Sequence, residues 1–173
     1  MIVEFKAAAI RLSCPLFFHR LGHRCKFVGR VRFPARFSNI DIGDDCQIGE
    51  SVFFQAQATA RIAIGDRCSI NTGCHIVALS LIEIGKNVAI GEYVSIRDQN
   101  HGFAIGRGVD GQGFKTANVR IGDNVWIGRG AYIGAGTSIG DNSIVGANSV
   151  VHGVFPPNVM IAGAPAGIRK TLS

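Results

Sequence analysis

Histidine and cysteine are the side chains of this 173-residue chain suited to acid–base, nucleophilic or metal chemistry near neutral pH, and there are five of each. The cysteines (Cys14, Cys25, Cys46, Cys68, Cys74) are odd in number and form no CxxC pair. They read as reduced thiols, not as a disulfide framework, and no zinc-ligand spacing appears. His75, His101 and His152 stand 26 and 51 residues apart, which does not suit a three-histidine metal site that draws two ligands from nearby positions. His101 has a distinct setting. Asp98 lies three residues ahead of it and a glycine-rich stretch follows. Imidazole titrates near neutrality, and a neighbouring carboxylate can fix its tautomer and stabilise the imidazolium; a backbone carbonyl can do that work instead. His19 and His23 fall in a basic N-terminal end and receive no role.

The elements that must position these groups follow from a six-residue beat. Ile121, Ile127, Ile133, Ile139, Val145 and Val151 are each six apart, and five of the six are followed by glycine. The same beat appears as Ile84, Ile90, Ile96, as Ile64, Ile70, Ile76 and as Ile42, Ile48, Phe54. A small or β-branched residue follows four positions later, as at Val125, Ala131, Thr137 and Ser143, with Cys46, Cys68 and Cys74 in the same slots. Six fits neither a helix nor a long flat strand. It fits short strands joined by corners of Gly, Asp and Asn, which tolerate left-handed backbone. Three units close one triangular coil, and coils stack at roughly 4.8 Å. The expectation is an all-β parallel helix whose core is a ladder of like side chains.

Residues 40–173 carry this beat and form the repeat domain. Its largest break, between Ile96 and Ile121, extrudes a loop over residues 102–118 with five glycines. Residues 1–39 lie outside the beat. Val3 to Phe18 reads as a short helix stopped near Pro15, and Cys25 to Phe37 as an irregular first coil. The helix would cap the open end of the solenoid.

Composition narrows the function classes. Apolar residues make up 47% and charged residues 17%, which excludes a disordered chain. No apolar run approaches the roughly 18–20 residues of a membrane span, and the N-terminal stretch lacks a signal-peptide cleavage pattern. The net charge of +6 is concentrated: residues 1–39 hold eight Lys/Arg against Glu4, whereas residues 40–173 hold ten bases and eleven acids. Such an end is either a solvated face or a contact for an anionic partner. No nucleic-acid recognition motif accompanies it. The expectation is a cytoplasmic protein without nucleic acid as partner, whose basic N-terminus offers a peripheral contact to the inner membrane.

The repeat, the segment from Ser95 to His101, the segment Ile121-Gly-Asp-Asn-Val-Trp-Ile-Gly128 and the tail from Pro156 to Ala166 resemble the hexapeptide-repeat acyltransferases. The nearest branch is the O-acetyltransferases of lipopolysaccharide and exopolysaccharide biosynthesis. The resemblance covers roughly residues 40–170. It implies a left-handed coil, a homotrimer with active sites between subunits, acetyl-CoA as donor, a sugar or glycan acceptor and no metal. It implies that His101 is the base that takes the acceptor's proton, with Asp98 as its orienting carboxylate. Asn71 matches an acceptor-binding Asn, or is a corner former. Trp126 matches an aromatic beside the active site, or packs at a subunit seam. Backbone N–H groups near Gly128 and Arg129 match an oxyanion site. The CoA positions are Gly128, Arg129, Ala147, His152, Gly153, Arg169 and Lys170. A His-Gly pair stands where Thr-Lys is common, and the tail is one residue short. The implied activity is sugar O-acetylation in surface polysaccharide assembly. The alternatives are N-acetylation of a nucleotide-linked amino sugar, a metal enzyme of the γ-carbonic anhydrase type, and a non-catalytic scaffold.

Overall fold

The computed structural model describes residues 3–6, 18–33 and 39–173. Among these the chain is built of strands. β1 is Val3–Lys6. The first coil is β2 (Arg20–Leu21), β3 (Lys26–Phe27) and β4 (Arg30–Phe33), and the second is β5 (Ile40–Ile42), β6 (Gln47–Ile48) and β7 (Val52–Ala56). The third is β8 (Arg61–Ile64), β9 (Ser69–Ile70) and β10 (His75–Ala78); the fourth is β11 (Leu81–Ile84), β12 (Ala89–Ile90) and β13 (Ser95–Arg97). A hairpin of β14 (Gln99–His101) and β15 (Phe114–Thr116) then leaves the solenoid. The fifth coil is β16 (Val119–Ile121), β17 (Trp126–Ile127) and β18 (Tyr132–Ile133), and the sixth is β19 (Ser138–Ile139), β20 (Ile144–Val145) and β21 (Val150–Val151). β22 (Val154–Phe155) and β23 (Val159–Gly163) begin a seventh coil, and β24 (Ala166–Thr171) folds back antiparallel on β23.

Every third coil strand pairs in parallel, which makes three flat faces. The first face runs β2-β5-β8-β11-β16-β19-β22, the second β3-β6-β9-β12-β17-β20-β23, and the third β4-β7-β10-β13-β18-β21. The inward residues stack like on like. On the first face Ile42, Ile64, Ile84, Ile121 and Ile139 are in register, and all are buried. Each ladder keeps apolar area from water at about 25 cal/mol per Å².

The corners explain why Gly, Asp and Asn recur. At the first corner, between the first and second faces, a Cβ on Gly85 would lie 2.7 Å from the backbone of Gly122. The following Asp reaches back: Asp141 Oδ1 accepts the Asp123 N–H at 2.8 Å, and Asp123 Oδ1 accepts the Lys86 N–H at 2.7 Å. The Asn takes left-handed backbone, φ 56° at Asn87, Asn124 and Asn142. Its amide joins the next coil, 2.9 Å from Asn87 to Asn124 and 3.0 Å from Asn124 to Asn142.

The buried thiols are part of this lattice. Cys25, Cys46 and Cys68 donate to the carbonyls of Gly43, Gly65 and Gly85 at 3.1, 3.2 and 3.1 Å. Burial pushes the Cys74 thiol up to about 11. Cys14 lies outside the described residues.

Two expectations for the N-terminal end change. Val3–Lys6 is a strand, antiparallel to β4, not the start of a helix; the rest of that segment, residues 7–17, lies outside the described residues. Over its described residues, 18–33, the first coil is regular, with β2, β3 and β4 each in parallel register with the second coil; residues 34–37 of that expectation lie outside the described residues. Leu21, Phe27 and Phe33 keep the six-residue step, and Phe33 stacks on Phe54 at 6.2 Å. Aromatic side chains fill slots that isoleucine fills later.

Candidate functional site

The hairpin that carries His101 departs from the third corner, where the third face hands over to the next coil. Gln99, Asn100 and His101 pair antiparallel with Thr116, Lys115 and Phe114. The exposed imidazole lies against the Phe114 ring, centroids 4.3 Å apart and planes inclined by 41°. Sequence reasoning missed Phe114, which only the hairpin register places opposite His101. It also missed Gln99, whose buried Oε1 has no hydrogen-bond partner among the described residues.

Asp98 has partners other than those expected of it. The residue is fully buried. Its Oδ1 accepts the Leu79 N–H at 2.8 Å and its Oδ2 the Ser80 N–H at 2.7 Å, both from the corner between β10 and β11. No hydrogen bond joins it to His101 among the described residues. The three-residue spacing fits the end of one strand and the start of a hairpin, not a dyad.

The expected site residues fall on two corners. Asn71, Arg129 and Ala147 lie on the second corner, between the second and third faces. Their coils are tied there by Asn71 N–H to Ile90 O at 3.0 Å and Asn148 N–H to Arg129 O at 2.9 Å. Trp126 precedes this corner on the outer surface of the second face and is 56% exposed. Around it in register are Ala89 and Ile144. Arg169 and Lys170 lie on β24 along the same face, and Arg169 Nε donates to the Ala162 carbonyl at 2.9 Å.

His152 and Gly153 lie instead on the third corner, with His101. The His152 ring covers Gly134, where a Cβ would overlap it, and lies 5.7 Å from the Tyr132 ring. The structure therefore does not gather the predicted CoA positions within one chain. It also removes one oxyanion donor: the Gly128 N–H is bonded to Val145 O at 2.8 Å.

His75 is outward on β10, its ring tilted against that of Phe53 with centroids 5.3 Å apart. Burial, with Arg97 and Arg32 nearby, holds its pKa below the ordinary imidazole value. Two grooves, of about 610 and 290 Å³, lie on the first face and share His19, Asp41 and Arg61. Neither includes His101 or Trp126. Asp41 Oδ1 contacts His19 Nδ1 at 2.7 Å, and its Oδ2 accepts from Arg61 at 2.9 and 2.6 Å. Burial would raise this carboxyl, but the His19 and Arg61 bonds outweigh it and hold it below the usual carboxylate range.

The coils have counterparts in known proteins. The family model "Bacterial transferase hexapeptide (six repeats)" matches residues 118–153. The chain is 32% identical to WbbJ of Escherichia coli (strain K12), provisionally named a lipopolysaccharide biosynthesis O-acetyl transferase, over 93% of this chain and 87% of WbbJ. It therefore belongs to the hexapeptide-repeat transferases, and its parallel β-helix is the left-handed coil of that family. Solved structures are similar as well. The hexapeptide-repeat acetyltransferase VCA0836 of Vibrio cholerae O1 biovar eltor, complexed with acetyl-CoA, is 27% identical with a TM-score of 0.71, over 96% of this chain and 77% of that one. A galactoside acetyltransferase in complex with coenzyme A is 29% identical with a TM-score of 0.68, over 76% of this chain. The match spans 64% of that enzyme's length.

Proposed function

We propose that this chain transfers an acetyl group from acetyl-CoA to a sugar hydroxyl in surface polysaccharide assembly, in a homotrimer whose active sites lie between subunits. The similarity to WbbJ and to two acetyltransferases solved with CoA or acetyl-CoA supports the donor and the acceptor class. The observation that carries the subunit arrangement is the separation of His101 from Asn71, Trp126 and Arg129 onto different corners of one prism. A contact of the third corner of one copy with the second corner of the next is heterologous, and such contacts close into rings. Apolar surface suits that contact at both places. Phe103, Ile105, Val109 and Phe114 are exposed on the loop, and Trp126 and Ile168 on the second face.

In this arrangement His101 takes the proton of the acceptor hydroxyl as its oxygen attacks the thioester carbon. The tetrahedral oxyanion meets the N–H of Arg129, which makes no hydrogen bond among the described residues, unlike that of Gly128. Collapse breaks the carbon–sulfur bond, and the imidazolium returns its proton to the CoA thiolate. The products are the acetyl ester and free CoA. Phe114 walls one side of the imidazole. Lys170 supplies a cation for the CoA phosphates.

The test is free-thiol release from acetyl-CoA against a panel of sugars and amino sugars, with a no-donor blank for the protein's own thiols. Release with hydroxyl acceptors is expected, falling by about 10²–10⁴ in His101→Ala. Release with amino sugars alone would make the reaction N-acetylation. Unchanged release in His101→Ala would remove the base.

A further inference from the structure

We infer that Asp98 is a positioning residue: its buried carboxylate staples the stems of the His101 hairpin to the preceding coil, and it does not act on the charge of the imidazole. The inference rests on the proposed role of His101. Three strands of evidence meet at this residue. Both carboxylate oxygens accept backbone N–H groups of the corner one coil below, Leu79 at 2.8 Å and Ser80 at 2.7 Å. Its own carbonyl accepts the Ala117 N–H at 2.8 Å, which ties the outgoing stem of the hairpin to the returning one. The returning stem is held twice more. Ser80 Oγ donates to Asn118 Oδ1 at 3.0 Å, and the Ala117 carbonyl accepts the Gly136 N–H at 3.0 Å.

The arrangement answers a physical problem. At the third corner between the fifth and sixth coils the chain passes directly onward, and the Gly134 N–H is taken by the Val151 carbonyl of the next coil at 3.0 Å. Here an insertion of about twenty residues interrupts the ladder between β13 and β16, so the Leu79 and Ser80 amides face no strand above. A buried amide without an acceptor costs about 1–3 kcal/mol. The Asp98 carboxylate takes both. An ionised carboxylate offers acceptors only, and charge-assisted bonds of this kind are about twice as strong as neutral ones. Two short bonds from a rigid coil fix the backbone of Asp98, and His101 follows three residues on within a paired strand.

The amide of Asp98→Asn can accept only one of the two N–H groups and turns a donor toward the other. The measurement is steady-state acetyl transfer across pH, beside hydrogen exchange of the free-standing protein. Asp98→Asn is expected to lower kcat roughly tenfold or more, since small misplacement of a reacting group is costly. KM for acetyl-CoA should stay within about twofold and the pH–rate midpoint should hold, because both Asp98 oxygens are engaged by backbone amides and none by His101. Amides 79, 80 and 117 should exchange faster while those of β17 and β20 keep their protection. A midpoint moved by about one unit would mean that Asp98 tunes the imidazole, and would overturn the inference. So would unchanged exchange at 79, 80 and 117. The double variant Ser80→Ala/Asn118→Ala leaves the carboxylate in place and covers the case in which Asp98→Asn fails to fold. It should lower kcat about two- to threefold at an unshifted midpoint, and unchanged kcat and exchange there would overturn the inference. His101→Ala assayed alongside separates the two ideas: activity retained in it sinks the base, whereas the exchange result reads the staple without any turnover.

Discussion

The second and third corners of the prism are built from the same repeat and do different work. At the second corner, coil follows coil without interruption, and successive backbone N–H groups are taken by the next carbonyl, as in Asn71 to Ile90, Gly91 to Ile127 and Gly128 to Val145. At the third corner the fourth coil opens, and a side chain replaces the missing ladder bonds through Asp98. The regular corner gives a rigid edge on which Asn71, Arg129 and Ala147 hold fixed spacing. The irregular one gives His101 freedom from the ladder at the cost of a custom anchor. The hairpin that carries His101 therefore stands on a root anchored by the buried Asp98 carboxylate.

The strongest way to break the comparison is to disable one corner per copy. His101→Ala alone and Asn71→Ala alone should each be nearly inactive. Co-refolded in equal amounts, they should recover roughly a quarter of wild-type thiol release, because about one interface in four then pairs two intact corners. No recovery would place both residues in one subunit's site. Next in size is the common core beneath the corners. Ile127 is fully buried beneath Trp126, and Ile127→Ala should cost about 2–5 kcal/mol in a denaturant titration. A cost under about 1 kcal/mol would mean the ladder relaxes around the cavity. The first corner provides a smaller test. Asn124 sits at φ 56° with its amide bonded to Asn87 and Asn142. Asn124→Ala should lose about 1–2 kcal/mol, and Asn124→Gly should lose less, since glycine takes that backbone freely.

The smallest effect is expected from the first face. The Asp41 carboxyl is held below its ordinary range by His19 and Arg61, against the opposing effect of burial. A carboxyl with a depressed folded pKa contributes stability above its unfolded pKa and loses it as pH falls through the folded value. Thermal midpoints should thus drop on acidification below the ordinary carboxylate range, and Asp41→Asn should flatten part of that drop. Equal acid sensitivity in the variant would remove Asp41 from the account.

Much of the fold could be read from residue spacing. The beat from Ile121 to Val151 placed inward residues that are buried, and the Gly-Asp-Asn corners have the backbone that those residue types favour. The first coil reads as irregular in the sequence because Phe27 and Phe33 carry the period in aromatic side chains, and Leu21, Phe27 and Phe33 lack the Gly-Asp-Asn signature. The helix expected from Val3 had a plausible apolar spacing, yet Val3–Lys6 pairs with β4, where an open sheet edge offers backbone partners that local propensity does not register. Of the site, His101 and Trp126 stood out by motif. Phe114 and the true partners of Asp98 did not, because both depend on register across a hairpin and on a corner nearly twenty residues earlier.

By itself the sequence determined the period, and so the strands, the corners, the stacked isoleucines and the break from which His101 projects. Those are local: six-residue spacing fixes which side chains point inward wherever the coil closes. Only the tertiary structure decided which corner each functional residue occupies, and that Asp98 answers two backbone amides rather than an imidazole. Hydrogen-bond partners in a solenoid come from the coils above and below, and an insertion between them changes which backbone groups and side chains meet.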